Sequence, residues 1–420
     1  MLKDFNKNIA KKLDKEDVLS NYRDRFFFPM HKGKKCIYFC GNSLGLQIKK
    51  TEEYIKSELN DWAKYGVDGH FKAKNPWFTY HKILTSQTSK IVGAKKNEVV
   101  VMNGLTTNIH LLLMSFYKPS KSRYKILCES NAFPSDLYVL QSQVELHGYK
   151  YEDAVIQVPC DSHGVIDEDK LIKLINKIGD RLALVFIGGV NYYSGQVFNI
   201  PKITSASHKV GSLVGFDLAH AAGNIELNLH KWNVDFAAWC SYKYLNSGPG
   251  NVSGIFVHEN QSKKNPFRLK GWWGHSEKNR FNYNKKTKFS PMKGAEGWQL
   301  SNAPVFGMAA HKASLDVFNE AGMNNLVKKS KKLVNALELV FERFNHESKD
   351  FKFKIITPKQ RGCQLSVLVN KNGRKVYEIL NKNGVVVDWR EPNVIRFAPV
   401  PLYNSFEDIY NFSQILRKCL

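Results

Sequence analysis

GFDLAHAAGNIELNLHKWNVDFAAWCSYKYLNSGPG, residues 215–250, is the stretch on which the fold turns. Asp217 ends an apolar run, so it should emerge at the carboxyl edge of a strand, where open α/β sheets place their ligands. Lys243 follows 26 positions later, after the apolar FAAWC and before a glycine-proline turn that stops an ordinary helix. Outward from there, residues 99–260 alternate short apolar runs with helical patterns: VVVM, KILCE followed by a helix over 135–146, LALVFI followed by a helix over 201–210, then LVGFD, FAAWC and GIFVH. That alternation predicts an α/β fold with a mostly parallel sheet flanked by helices.

The flanks read differently. Residues 37–40 (IYFC) suggest a short strand, and 49–64 and 80–91 suggest amphipathic helices, together forming a docking arm and the start of the core. After Pro304 a single long helical pattern runs to about Phe344, followed by a smaller α+β unit built from FKFKII, CQLSVLV, a helix from Lys375, VVVDW and VIRFAP. With 420 residues and 43% hydrophobic side chains the chain can bury a substantial core in two or three units. The opening MLKDFNKNIAKKLDKEDVLS is charged throughout, without the apolar centre of a secretory signal, and no later stretch approaches a membrane span. A soluble cytoplasmic protein is expected. The seven cysteines are odd in number and sit mostly in apolar runs, which points to free thiols rather than a disulfide framework, and no second Cys/His pair complements Cys36 and Cys40 as a metal site.

A net charge of +24 suits an acidic partner. The lysines, however, are spread over polar helix faces (Lys328, Lys329, Lys331, Lys332; Lys285, Lys286, Lys288) with no interleaved aromatic platform, so a solvated surface is the better reading and no nucleic acid or membrane partner is expected.

An aspartate and a lysine at two neighbouring strand ends are what a pyridoxal-phosphate site requires. The amine forms a Schiff base with the cofactor aldehyde, and the carboxylate keeps the ring nitrogen protonated so that the ring accepts electrons. Taken alone, Asp217 also reads as a helix cap and Lys243 as a solvated loop lysine.

The wider sequence resembles the kynureninase family. GFDLAHAAGN and WCSYKYLNSGPG are joined in order by CGNSLGLQ (40–47), YGVDGHF (65–71), NGLTTNIHLLL (103–113), ESNAFPSDLY (129–138), GWWGH (271–275), WQLSNAP (298–304), RGCQLSV (361–367) and RFAPVPLYNSF (396–406), covering nearly the whole chain. The resemblance implies a type I pyridoxal-phosphate fold, with a seven-stranded sheet in a large domain over 66–310, an N-terminal arm over 1–65 and a small α+β domain over 311–420. It implies that Lys243 carries the cofactor, that Asp217 pairs with the ring nitrogen, and that His220 lies near the phenolic oxygen. Leu105, Thr106, Tyr242 and Trp272 would hold the phosphate end. Phe133 would stack on the ring with Pro134, Ser135 and Asp136 close by, and Asn302 would complete the pocket. Arg396 would clamp the substrate α-carboxylate. His70, Ser301 and Asn302 would face the aromatic end of the substrate from a neighbouring subunit of a homodimer. The implied activity is hydrolytic Cβ–Cγ cleavage of L-kynurenine or 3-hydroxykynurenine in tryptophan degradation and NAD precursor synthesis, with Lys243, Tyr242 and Asp217 as the catalytic residues and no metal. The sequence departs from the family at Gly188, where a Ser or Thr is common; a backbone or water contact is expected to substitute. The rival within the fold is a cysteine desulfurase or selenocysteine lyase, for which Cys363 would be the reactive thiol.

Overall fold

Seven strands form the central sheet of the computed structural model, which describes residues 5–282, 288–348 and 352–419. In chain order they are β1 (Val99–Met102), β2 (Lys125–Glu129), β3 (Val155–Val158), β4 (Leu182–Gly188), β5 (Leu213–Asp217), β6 (Phe236–Cys240) and β7 (Ser253–Val257). Across the sheet they run β1-β7-β6-β5-β4-β2-β3, and every pairing is parallel except those of β7, which lies antiparallel to both β1 and β6. Each residue of β1, β2, β6 and β7 is buried, as expected of strands covered on both faces. Because β7 runs against its neighbours, its first residue, Ser253, comes to the same edge as the carboxyl ends of the parallel strands.

The longer helices, in chain order, are α1 (Lys7–Lys15), α2 (Thr51–Tyr65), α3 (Tyr80–Val92), α4 (Leu105–Phe116), α5 (Pro134–Leu146), α6 (Glu168–Ile178), α7 (Ile200–Lys209), α8 (Val305–Ala321), α9 (Met323–Glu347), α10 (Gly373–Lys382) and α11 (Phe406–Leu416). Local chemistry explains several ends. Asp167 caps α6 by accepting from the N–H groups of Asp169 and Lys170, and Gly93, at φ +62°, lets the chain leave α3 in a left-handed turn. The helical pattern after Pro304 is two helices rather than one. Gly322 breaks it at φ +74°, a conformation that a side chain disfavours.

The C-terminal unit holds a four-stranded antiparallel sheet, β8 (Phe353–Ile355), β9 (Leu365–Val369), β10 (Asp388–Arg390) and β11 (Val394–Phe397), in the order β8-β9-β11-β10. VVVDW is divided between two sheets: Val385–Val386 pairs in parallel with Ile37–Tyr38 of the arm, and β10 begins at Asp388. The arm is fastened further by α1 packing on α11, by Arg23 donating to both oxygens of Asp408 at 2.6 and 3.0 Å, and by a buried Lys329–Asp17 pair at 2.7 Å. Of the lysines expected on a solvated surface, Lys329 is instead buried on its pair with Asp17, and Lys285 and Lys286 lie outside the described residues. The six cysteines with described side chains are free, four of them buried; the Cys419 side chain is outside that set.

Candidate active site

The carboxyl edge of the sheet opens into a cleft of about 280 Å³. Its walls come from the ends of β2 (Glu129), β4 (Gly188) and β5 (Asp217), the loop after β6 (Tyr242, Lys243), and the first turns of α4 (Leu105, Thr106) and α5 (Ser135, Asp136). Phe133, Tyr192, His220 and Ser253 close it. Nine of the residues singled out in the sequence therefore meet in one place: Leu105, Thr106, Phe133, Ser135, Asp136, Asp217, His220, Tyr242 and Lys243. Pro134 sits between two of them as the first residue of α5, where its missing N–H costs no hydrogen bond.

Lys243 Nζ stands 3.1 Å from His220 Nε2 and lies over the rings of Phe133 and Tyr242 at 5.7 and 5.8 Å. Burial, then the charge of Lys243, drives the His220 pKa well below its usual value, so the imidazole is neutral and accepts from the amine through Nε2. Its Nδ1 is buried without a partner among the described residues, as is the Ser253 hydroxyl. Asp217 Oδ1 accepts the Ala219 N–H at 2.7 Å. Burial raises the Asp217 carboxyl, while Lys243, that N–H and a hydrogen bond from Asp136 pull it back. Asp136 is raised much further, by burial and then by the charge of Asp217. The pair is thus a neutral Asp136 donating to an ionised Asp217. Burial also lifts the Tyr242 hydroxyl, which stays protonated at neutral pH.

The fold leaves open the places that pyridoxal phosphate would fill. Helix α4 starts from Gly104 with no side-chain cap, and beside it Thr106 Oγ1 and Ser135 Oγ meet at 2.7 Å, so bare N–H groups and hydroxyls converge where an anion fits. The orphaned His220 Nδ1 and the Asp217 carboxylate offer a donor and an anion for ring substituents, beside Lys243, the one lysine among the described lining residues. The residues present fit the group.

Other predicted residues lie elsewhere. Trp272 does not turn its indole N–H into the cleft but donates it to the Arg280 carbonyl at 2.8 Å. Ser301 and Asn302 are exposed and, with His70, which sits 3.0 Å from the Val67 carbonyl, lie off the cleft of a single chain. Arg396 is 1% exposed on β11 and fully engaged: Asp388 takes Nε at 3.2 Å and Nη2 at 2.7 Å, and the Tyr192 carbonyl takes Nη1 at 2.5 Å. It is not itself a lining residue, but Tyr192, whose carbonyl it holds, is, and its charge acts on His220. At Gly188 the backbone N–H donates to Glu129 Oε2 at 2.6 Å rather than facing open space in the cleft. Glu129 was missed in the sequence, although it ends KILCE just as Asp217 ends LVGFD, an acid closing an apolar strand.

Residues 326–416 match the family model for the kynureninase C-terminal domain. The chain is 54% identical to a kynureninase from Flavobacterium psychrophilum, over 97% of both chains, and 44% identical to one from Mus musculus, over 98% of this chain and 93% of that one. Among solved structures, a cysteine desulfurase from Thermococcus onnurineus superposes with a TM-score of 0.74 at 17% identity, covering 97% of each chain, a likeness of fold. With half its residues shared along almost the entire length of the Flavobacterium protein, this chain belongs to the kynureninase family.

Proposed function

We propose that the chain hydrolyses the Cβ–Cγ bond of L-kynurenine or 3-hydroxykynurenine, giving anthranilate or 3-hydroxyanthranilate and L-alanine, with pyridoxal phosphate joined to Lys243. The observation that carries this reading is the placement of Lys243 Nζ 3.1 Å from a neutral His220, in a cleft shared with an ionised Asp217 and the open end of α4. When bound, the cofactor supplies an aldehyde that condenses with amines and a cationic ring that takes up the electron pair left at the substrate Cα.

The rest falls to the protein. Asp217 holds the ring nitrogen charged, and Asp136, by donating to Asp217, fixes that carboxylate without competing for the ring. Lys243 Nζ, once free, takes the Cα proton and carries it across the short distance it can swing. His220 accepts a hydrogen bond from that amine and keeps it aimed. Tyr242, protonated and beside Lys243, returns a proton to the alanine fragment after the aryl acid has left. Thr106, Ser135 and the first N–H groups of α4 hold the phosphate.

Cys363 argues against the desulfurase alternative. It is 1% exposed, burial pushes its thiol up to about 12, and its N–H is held by Asn224 Oδ1 at 2.9 Å, whereas a nucleophilic cysteine is accessible and thiolate-prone.

A second copy completes the site in this proposal. Trp62 and Phe306 pack against each other at 6.0 Å while both remain exposed, and Val67, Phe71, Phe281 and Trp272 add further exposed apolar surface near His70 and the Ser301–Asn302 pair. A two-fold partner would cover that surface and bring those polar groups to the cleft opposite. Work in the cytoplasm belongs to the same proposal; among the described residues no helix is long and apolar enough to cross a membrane.

The test is to incubate the purified protein with pyridoxal phosphate and L-kynurenine, follow anthranilate fluorescence, and map the peptide labelled by borohydride. Anthranilate formation with the label on Lys243 supports the reading; a label elsewhere, or no product, overturns it.

A further inference from the structure

The floor of the cleft carries a third acid. Glu129 ends β2 and is buried, with Oε2 accepting the Gly188 N–H at 2.6 Å and Oε1 accepting Asn191 Nδ2 at 3.3 Å. Both donors belong to the end of β4 and the turn after it. Gly188 is registered against Asp217 across the ladder, and the next residue, Gly189, donates its N–H to the Asp217 carbonyl at 2.7 Å. Glu129 thus braces the strand end that flanks Asp217. The fit is close: a Cβ at position 188 would stand 3.1 Å from Glu129 Oε1.

The charged and titratable groups around Glu129 are Asp217 from β5, Asp136 from α5, the Cys128 thiol on its own strand, and Lys243 and the neutral His220 from the two loops beyond. Three carboxyls facing one ammonium in a buried floor cannot all be ionised. Asp136 keeps a proton by donating it to Asp217, whereas Glu129 has no acid partner. Burial and the charge of Asp217 favour its neutral form, and its two donors favour the anion. The balance leaves it at about 7.

We propose that Glu129 is a positioning residue of the cofactor floor and gives up its proton when a cationic ring is seated against Asp217. The inference rests on the cofactor reading above. The bond broken is the Glu129 O–H, and its proton goes to the ring nitrogen or to solvent. In either case cofactor binding hands the solution more protons, net, than it would without this acid.

Calorimetric titration of the apo-protein with pyridoxal phosphate, in two buffers of different ionisation heat, counts those protons. Between pH 6 and 7 the wild type should release more protons per site than Glu129→Gln, by at most one, the gap growing as pH falls and closing as it rises. Glutamine keeps an acceptor for the Gly188 N–H, and circular dichroism checks the fold. Gly188→Ala provides a second arm: it keeps the acid but crowds Oε1, which weakens the support of the anion, so the excess release should persist to higher pH. Equal proton counts for wild type and Glu129→Gln at pH 6 and 7 would overturn the proposal while leaving cofactor binding intact. Absence of binding by the wild type would overturn both this inference and the cofactor reading.

Discussion

Asp388 holds Arg396 by two nitrogens, Nε at 3.2 Å and Nη2 at 2.7 Å, and shares its carboxylate with Arg390 at 2.9 Å. A substrate carboxylate reaching Arg396 therefore competes with an internal one. Removing one member of a buried pair strands the other charge, a loss of about 3 kcal/mol. Asp388→Asn should lose about that much at pH 7, read from the urea midpoint. Burial raises the Asp388 carboxyl, but Arg396, Ser43 and Arg390 together hold it below the ordinary 3.8. The contribution of a depressed acid is present above its unfolded pKa and is lost as pH falls through the folded one, so wild type and variant should converge only below that range.

Two buried histidines set a slope on the other side. Burial lowers His311 to about 3, and His220 is also driven well down. The folded protein leaves both neutral while the unfolded chain binds protons below about 6.5, so stability falls as pH drops through that value. His311→Leu should flatten the decline between pH 7 and 5 by at most about 1.4 kcal/mol per pH unit. An unchanged slope would assign the decline to other groups.

Gly45 ties the arm to Lys243, the lysine proposed to carry the cofactor. Its N–H donates to the Tyr242 carbonyl at 2.9 Å, and a Cβ there would fall 2.4 Å from the Lys243 carbonyl and 2.8 Å from the Asn246 Cα. The backbone under Lys243 would have to move. Gly45→Ala should weaken pyridoxal-phosphate retention at least several-fold, measured by absorbance after gel filtration; full retention would mean that the loop tolerates the shift.

Tyr242→Phe removes the hydroxyl assigned to the final proton transfer. Turnover should fall roughly 10²-fold while bound-cofactor absorbance is kept. Equal rates would return the relay to Lys243 or water.

Phe306→Glu places a charge on the apolar surface proposed to meet a second copy. Sedimentation should show a shift towards monomer, with activity lost in proportion because His70, Ser301 and Asn302 no longer reach a cleft. A monomeric wild type with full activity would remove the two-fold proposal.

The parallel sheet and the acid-and-lysine edge were legible because burial on both faces forces continuous apolar runs that stop where the chain meets the cleft, as at Asp217. The same rule, applied to KILCE, would have found Glu129. Other features do not follow from such runs. The reversal of β7 depends on the turn at Pro249–Gly250, and the split of the long helix depends on one positive φ at Gly322. The guanidinium fork of Arg396 suits a carboxylate, but its partner Asp388 stands one strand away, and periodicity along one strand cannot show what lies across the ladder. Trp272 was assigned from its motif, and the Arg280 carbonyl that takes its N–H lies in a loop without regular pattern.

The Arg23–Asp408 pair joins positions 385 apart, and Ile37–Tyr38 completes its pairing only on Val385–Val386. During synthesis the arm leaves the ribosome long before its docking surface exists, so the nascent chain must carry Phe26, Phe28 and Phe39, all buried at the end, exposed to its surroundings until the last helix is made. Chaperone dependence should therefore track the interval between making residue 39 and residue 408, and slowing translation in the last quarter of the message should lower the yield of native protein.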